Sequence, residues 1–210
     1  MNNQQFIRTS KNKPAVFLDR DGTINEEVGY INHPARFHII PGVAQGIRRL
    51  NEAGFLTIVV TNQAGVARGY FEESLIETVH GILYRELDRA GARLDAIYYC
   101  PHHPTAGKEP YRATCNCRKP LPGMIEQACS DFPVDLSRSY LIGDRYKDML
   151  FGKKFDLKTI MVLTGYGRGE YENQRQSWQE LPDHIARDLP EAVDWLLDQS
   201  SGNGVKTDNA

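Results

Sequence analysis

The chain has 210 residues, a length that suits one domain with a substantial core. Its 25 basic and 27 acidic residues leave a net charge of −2, which gives no electrostatic reason to bind nucleic acid or a membrane surface. No apolar run approaches the roughly 20 residues that span a bilayer, and the polar stretch 1–13 lacks the apolar centre of a signal peptide. We therefore expect a cytoplasmic protein.

Short apolar runs alternate with amphipathic stretches. In chain order, the pattern predicts a strand at 15–18, a helix that begins at Pro41-Gly42 and ends at Gly54, a strand at 56–60, a helix over 75–87 that Gly91 ends, a strand at 96–99, a helix at 123–131, strands at 140–142 and 159–163, and a helix at 190–198. No long apolar face demands a partner subunit, so a monomer is expected.

This alternation predicts an α/β fold: a doubly wound, Rossmann-like parallel sheet with helices on both faces. No stretch is long enough for a large cap domain. We expect a single domain over 1–198, with a loop inserted at 100–119 and a disordered tail at 199–210. Asp19, Thr61 and Asp144 each follow a predicted strand. If those strands are neighbours, the three side chains converge in one crevice.

Residues 19–23 read Asp-Arg-Asp-Gly-Thr and follow a buried strand. A lone Asp-Gly is usually a turn, but two carboxylates so close together repel each other unless a cation lies between them. The segment resembles the first motif of the haloacid dehalogenase superfamily of phosphotransferases. That resemblance implies Asp19 as the nucleophile and Asp21 as the acid/base, with Gly22 allowing the sharp turn and Thr23 holding the Asp21 side chain.

Three later segments agree with this motif in the expected order: Thr61-Asn62-Gln63, Arg118-Lys119-Pro120, and residues 143–148. The resemblance implies that Thr61 donates to the phosphoryl group and that Lys119 neutralises it. Mg²⁺, which prefers oxygen ligands, is expected on Asp19, the main-chain carbonyl of Asp21, and Asp144. Asp148 is expected to orient Lys119 or a metal-bound water. Taken singly, these segments also suit a polar turn, a solvated basic pair and a first-turn helix carboxylate.

Three of the four cysteines cluster beside histidines. Cys100 and His102, followed by Cys115 and Cys117, form a closed set of four ligands that is typical of structural zinc. Without an export signal, metal is favoured over disulfides. His103 is the alternative imidazole ligand, and reduced cysteines in a loop are the plainer interpretation. The fourth cysteine, Cys129, lies on a predicted helix and is expected to be a core thiol.

The whole set resembles the histidinol-phosphate and heptose-bisphosphate phosphatases of the superfamily over about residues 14–197. The segments 61–71 and 164–170 and the long loop between the zinc ligands favour the heptose branch. The resemblance then implies Mg²⁺-dependent hydrolysis of the 7-phosphate of a heptose 1,7-bisphosphate through an aspartyl-phosphate, in nucleotide-activated heptose biosynthesis. The alternatives are a histidinol-phosphate phosphatase and a zinc-organised, non-enzymatic module that binds nucleic acid.

A substrate with two phosphates needs basic contacts for the phosphate that is not hydrolysed, and the candidates are Arg68, Arg118 and Arg145. The segment 27–30 is expected to face the sugar. The expected phosphate and substrate contacts are Glu27, Gly29, Tyr30, Thr61, Asn62, Gln63, Arg68, Arg118, Lys119 and Arg145. The chain departs from the family pattern at Ala64, where Ser is frequent, and at Arg145, where Lys is common. Arg is a planar bidentate donor and Lys a point charge, so the substrate contact differs there.

Overall fold

A computed structural model of the chain describes residues 12–202. Six strands and six α-helices follow one another along these residues. They are β1 (Ala15–Leu18), α1 (Val43–Glu52), β2 (Leu56–Asn62), α2 (Ser74–Arg89), β3 (Ala96–Cys100), α3 (Gly123–Asp131), β4 (Tyr140–Gly143), α4 (Tyr146–Lys153), β5 (Lys158–Val162), α5 (Gly167–Gln174), β6 (His184–Ala186) and α6 (Leu189–Gly202).

The six strands form one parallel sheet in the order β3-β2-β1-β4-β5-β6. This is the doubly wound arrangement predicted from the sequence. All five predicted strands and all four predicted helices are present. The pattern did not predict α4, α5 or β6. The eight residues of α4 carry no regular apolar stripe, and β6 has only three residues.

Two apolar layers cover the sheet, which is why its central strand is a continuous apolar run. Val16 and Leu18 of β1 face the layer formed with α1, α2 and α6, whereas Ala15 and Phe17 face the layer formed with α3 and α4. All four side chains are fully buried. Within residues 12–202, no helix is both long enough and apolar enough to cross a membrane.

The chain order reverses between β1 and β4, which lie side by side at the centre of the sheet. Asp19 directly follows β1 and Asp144 directly follows β4. The Asp19 main-chain N–H donates to the Ile142 carbonyl at 2.9 Å, so the two strand ends are tied together. In doubly wound sheets, ligands bind at such a reversal point, beyond the carboxyl ends of the strands.

The last helix is longer than the sequence predicted. α6 continues to Gly202, so residues 199–202 are helical rather than disordered. Gln199 and Ser200 extend the last predicted turn, and the Ser200 hydroxyl donates to the Leu196 carbonyl at 2.8 Å. The remainder of the predicted tail, 203–210, lies outside the described residues.

Candidate active site

A cavity of about 230 Å³ opens beyond the carboxyl ends of the central strands. Most of the predicted site residues line it: Asp19, Asp21, Glu27, Gly29, Tyr30, Thr61, Asn62, Gln63, Arg118, Lys119 and Arg145. The sequence did not single out Lys147 or Tyr166, which also line it. Arg68 is not among the lining residues; its Nη2 lies 3.1 Å from Nε2 of His103 on the inserted loop.

Lys119 is buried between two carboxylates. Its Nζ lies 2.8 Å from Oδ1 of Asp19 and 2.7 Å from Oδ1 of Asp148. Burial lowers the pKa of Lys119, but the charges of Asp148 and Asp19 outweigh it and hold the pKa above its usual range, so the ammonium stays charged. Asp148 therefore contacts Lys119, one of the two partners predicted for it.

Asp144 completes a group of three buried carboxylates with Asp19 and Asp148, whose nearest oxygens all lie within 4.8 Å of one another. Burial, and then the charges of Asp19 and Asp148, raise the pKa of Asp144 to about 9. Its Oδ2 accepts from the Tyr166 main-chain N–H at 2.9 Å, but its Oδ1 is buried and has no hydrogen-bond partner within residues 12–202. An unpartnered oxygen among repelling carboxylates fits a divalent cation such as Mg²⁺.

Two glycines pack directly against Asp144. Gly22 and Gly165 both have positive φ angles, of 81° and 54°, and a Cβ on either would collide with Oδ2 of Asp144. The hydroxyl of Thr164 donates to the Gly22 carbonyl at 2.5 Å, which joins the turn after β1 to the segment after β5. Glycine is therefore required here by the close approach to Asp144 as well as by the turn.

Asp21 is held by three side chains. Arg20 forms an ion pair with it at 2.9 Å, Asn25 donates to Oδ1 at 3.0 Å, and Gln63 donates to Oδ2 at 2.8 Å. Burial raises the pKa of Asp21, but these contacts outweigh it and hold the pKa below its usual value. The prediction that Thr23 holds Asp21 is wrong: its buried hydroxyl makes no hydrogen bond to the described part of the chain.

The sequence reasoning did not assign a role to Arg20 or His80. Arg20 is only 2% exposed, and its Nη1 lies 3.1 Å from Nε2 of His80 on α2. Burial, and then the charge of Arg20, lower the pKa of His80 to about 3, so this imidazole is neutral. The signal in the sequence was the position of Arg20 between two aspartates, because a cation there reduces the repulsion between their carboxylates.

The three polar residues at the end of β2 are connected to the rest of the site. Gln63 Nε2 donates to Thr61 Oγ1 at 2.9 Å as well as to Asp21. The Asn62 side chain instead bonds the main chain of Lys119, donating to its carbonyl at 3.1 Å and accepting from its N–H at 3.0 Å. Asn62 lines the cavity, but its amide is engaged by the protein.

Charged side chains at the mouth of the cavity are also oriented. Arg118 donates to the His102 carbonyl at 3.2 Å, and Glu27 Oε1 accepts from the Gly29 N–H at 2.6 Å. Burial raises the pKa of Glu27, and the hydrogen bond from Gly29 opposes that shift. Arg145 pairs through Nε with Oε1 of Glu170 at 3.0 Å.

The inserted loop brings the four predicted zinc ligands together. Cys100 Sγ lies 3.5 Å from Cys115 Sγ, and His102 Nδ1 lies 3.4 Å from Cys117 Sγ and 3.8 Å from Cys100 Sγ. All four ligand atoms lie within 4.8 Å of one another. Ligands about 2.0–2.3 Å from a tetrahedral zinc would be separated by roughly these distances. The cluster therefore fits a four-coordinate metal.

The alternative imidazole, His103, is not in this cluster. Its Nδ1 accepts from the Ala106 main-chain N–H at 2.9 Å, and its Nε2 faces Arg68. Cys129 also lies outside the cluster and packs, partly buried, against the apolar layer under α3, as predicted for a core thiol. All four cysteines are free thiols in the structure.

The doubly wound sheet, the paired aspartates after β1 and the buried lysine between Asp19 and Asp148 define a phosphatase of the haloacid dehalogenase-like class. A family model described as HAD-hydrolase-like matches residues 116–192. The chain is 44% identical to the D-glycero-beta-D-manno-heptose-1,7-bisphosphate 7-phosphatase of Pasteurella multocida, over 88% of this chain and 98% of that protein. It is 42% identical to the D-glycero-D-manno-heptose-1,7-bisphosphate 7-phosphatase of Thermosynechococcus vestitus, over 88% and 95%.

Solved structures agree with these relatives. The D,D-heptose 1,7-bisphosphate phosphatase of B. bronchiseptica, complexed with magnesium and phosphate, superposes with a TM-score of 0.77 at 32% identity, covering 89% of this chain and 99% of that one. A putative HAD-like phosphatase from Mesorhizobium loti gives 0.76 at 33% identity, with coverages of 94% and 90%. The chain belongs to the D-glycero-D-manno-heptose 1,7-bisphosphate 7-phosphatase family of HAD-like hydrolases.

Proposed function

We propose that the chain removes the 7-phosphate of D-glycero-D-manno-heptose 1,7-bisphosphate and leaves the 1-phosphate, as a step in nucleotide-activated heptose biosynthesis. The substrate is supported by relatives of that name that match nearly end to end. The observation that carries the chemistry is the ion pair between Asp19, at the cavity, and the buried Lys119. It supports the assignment of Asp19 as the nucleophile and of Lys119 as the cation that neutralises a bound phosphoryl group.

In the first step, a carboxylate oxygen of Asp19 attacks phosphorus and the bond from phosphorus to the sugar oxygen breaks. The leaving oxygen takes a proton from Asp21, while Lys119 and Thr61 contact the phosphoryl oxygens. In the second step, Asp21 takes a proton from a water that attacks the aspartyl-phosphate, which frees inorganic phosphate and regenerates Asp19. Mg²⁺ bound at Asp19, the Asp21 carbonyl and Asp144 would supply neutralisation of negative charge.

The contacts of Asp21 suit the second step, in which it accepts a proton, better than the first, in which it donates one. Arg20, Asn25 and Gln63 favour its ionised form, which is the form that accepts a proton from water. A phosphate dianion that enters the cavity raises the pKa of nearby carboxylates, and this favours the protonated form that the leaving oxygen requires.

The metal of the inserted loop is proposed to be zinc with a structural role. Three cysteines and His102 form a closed set that leaves no position for a reacting water. The last ligand, Cys117, directly precedes Arg118 and Lys119. Zinc would therefore hold in place the segment that delivers the cation to Asp19. A monomeric enzyme in the cytoplasm remains a prediction.

A direct comparison of substrates tests the function. Phosphate release is measured from D-glycero-D-manno-heptose 1,7-bisphosphate and from histidinol phosphate under the same conditions, with Mg²⁺ present. We expect a higher kcat/KM for the heptose bisphosphate and no activity for Asp19→Asn. A preference for histidinol phosphate would reject the substrate, and an active Asp19→Asn protein would reject the mechanism.

A further inference from the structure

Glu170, in the first turn of α5, uses both oxygens of its carboxylate. Oε1 accepts from Nε of Arg145 at 3.0 Å, and Oε2 accepts from the main-chain N–H of Tyr146 at 2.7 Å. The Glu170 side chain is only 12% exposed, so little water competes for these bonds. A single carboxylate thus holds both the guanidinium of Arg145 and the start of α4.

Arg145 is also held from a second side. Its Cζ lies 4.4 Å from the centre of the Tyr166 ring, and Tyr166 is itself anchored through its N–H to Asp144. Because Nε is taken by Glu170, only Nη1 and Nη2 remain, and neither is hydrogen-bonded to a residue in the range 12–202. Arg145 lines the cavity, so this free edge of the guanidinium is available to a ligand there.

We propose that Glu170 is a positioning residue that holds Arg145 so that Nη1 and Nη2 bind the phosphate that is not hydrolysed. The inference rests on the proposed function, since a bisphosphate supplies the second anion. A planar guanidinium with two free donors matches two phosphate oxygens. An arginine fixed before binding loses less conformational entropy when the ligand arrives. Glu170 touches no reacting atom, so its effect should fall on binding rather than on chemistry.

A purely structural role for Glu170 predicts something different. The bond to the Tyr146 N–H stabilises the start of α4, and its loss would lower stability and affect all substrates alike. Glu170→Gln keeps a neutral acceptor for Tyr146 and removes the charge that pairs with Arg145. Glu172→Ala is a matched control, because Glu172 is an exposed carboxylate of the same helix that pairs only loosely with Arg168, at 3.8 Å.

The test measures kcat and KM for wild type, Glu170→Gln, Glu170→Ala, the control Glu172→Ala, Arg145→Lys and the double variant Arg145→Lys/Glu170→Ala. The substrates are the heptose bisphosphate and p-nitrophenyl phosphate, which has one phosphate. We expect Glu170→Ala to raise KM for the bisphosphate about tenfold, with Glu170→Gln intermediate. For Glu170→Gln and Glu170→Ala, the KM for p-nitrophenyl phosphate and the kcat values should stay within about twofold of wild type. Because a lysine ammonium has no pair of Nη donors for Glu170 to orient, Glu170→Ala should add little to Arg145→Lys.

Equal losses on both substrates, or effects of the two single variants that add in full, would overturn the positioning role. If Glu170→Ala does not fold, Glu170→Gln and its thermal unfolding decide the question in the same way. A wild-type enzyme that prefers histidinol phosphate would reject the proposed function instead. In that case the KM values of the same variants for the heptose bisphosphate and for p-nitrophenyl phosphate still test the positioning role, so that the two failures remain distinguishable.

Discussion

The side chain of Asn62 forms two reciprocal hydrogen bonds with the main chain of Lys119, at 3.1 and 3.0 Å. They join the end of β2 to Lys119, at the end of the inserted loop. Through them, the strand that carries Thr61 also sets the position from which Lys119 reaches Asp19. Asn62 was predicted to contact substrate; it lines the cavity, and its side-chain amide holds the main chain of Lys119.

Replacing Asn62 by Ala removes both bonds, and we expect kcat to fall by about tenfold because Lys119 is no longer fixed beside Asp19. Asn51 offers a matched control. It makes the same pair of bonds with the main chain of Arg93, at 3.2 and 2.9 Å, before β3. Asn51→Ala should lower stability in urea by a similar amount and leave kcat unchanged. Equal loss of kcat in both variants would contradict the specific role of Asn62.

Removing the charge of Lys119 should affect both activity and folding. In Lys119→Met the buried carboxylates of Asp19 and Asp148 lose their shared cation, and we expect a loss of about 3 kcal/mol of unfolding free energy at neutral pH. Activity should fall by at least about 10³-fold, because the phosphoryl oxygens also lose this charge. The control is Lys153→Met, which breaks a half-exposed ion pair with Asp183 away from the cavity. A Lys119→Met enzyme with nearly normal kcat would refute the assignment.

The two proposed metals should behave differently on removal. Withdrawal of Mg²⁺ is expected to abolish activity without changing the circular dichroism spectrum. Cys115→Ser should lower the zinc content from one ion per chain to none and reduce the melting temperature, because the loop then has no anchor. Cys129→Ala, at the cysteine outside the cluster, should keep its zinc. A metal count that shows no zinc in carefully purified wild type would contradict the zinc site.

His80 should make stability depend on pH in the acid range. Its pKa is about 3 in the folded protein and near 6.5 when unfolded, so below pH 6.5 the unfolded state binds the extra proton. This contribution is fully present above pH 6.5 and is lost as pH falls towards 3, by about 2 kcal/mol between pH 6.5 and 5. Urea unfolding at several pH values measures it.

His80→Gln removes the titrating group but keeps an acceptor for Arg20, and it should flatten this part of the stability profile. His38→Gln, at an exposed histidine, should leave the slope as in wild type. Identical slopes for wild type and His80→Gln would show that the imidazole titrates normally in the folded protein.

Local patterns were sufficient to predict five of the six strands, the four longest helices and the motif residues of the site. Apolar runs such as 15–18 predict strands because both faces of a parallel sheet are buried, and the polar residues just after them lie where such sheets bind ligands. The spacing of Cys100, His102, Cys115 and Cys117 was enough to predict that these four side chains form one cluster. Short elements such as α4 and β6 carry too little periodicity to be predicted.

The sequence by itself therefore determined the class of fold, the order of the motifs and the chemical types of the catalytic side chains. Tertiary structure decided which residues hold those side chains in place: Arg20 and not Thr23 for Asp21, His102 and not His103 for the cysteine cluster, Asn62 for Lys119, and Glu170 for Arg145. Asn62 and Lys119 are 57 residues apart in the chain, and Arg145 and Glu170 are 25 apart. Those two contacts exist because the strand order brings separate loops to one edge of the sheet, and no local pattern records that order.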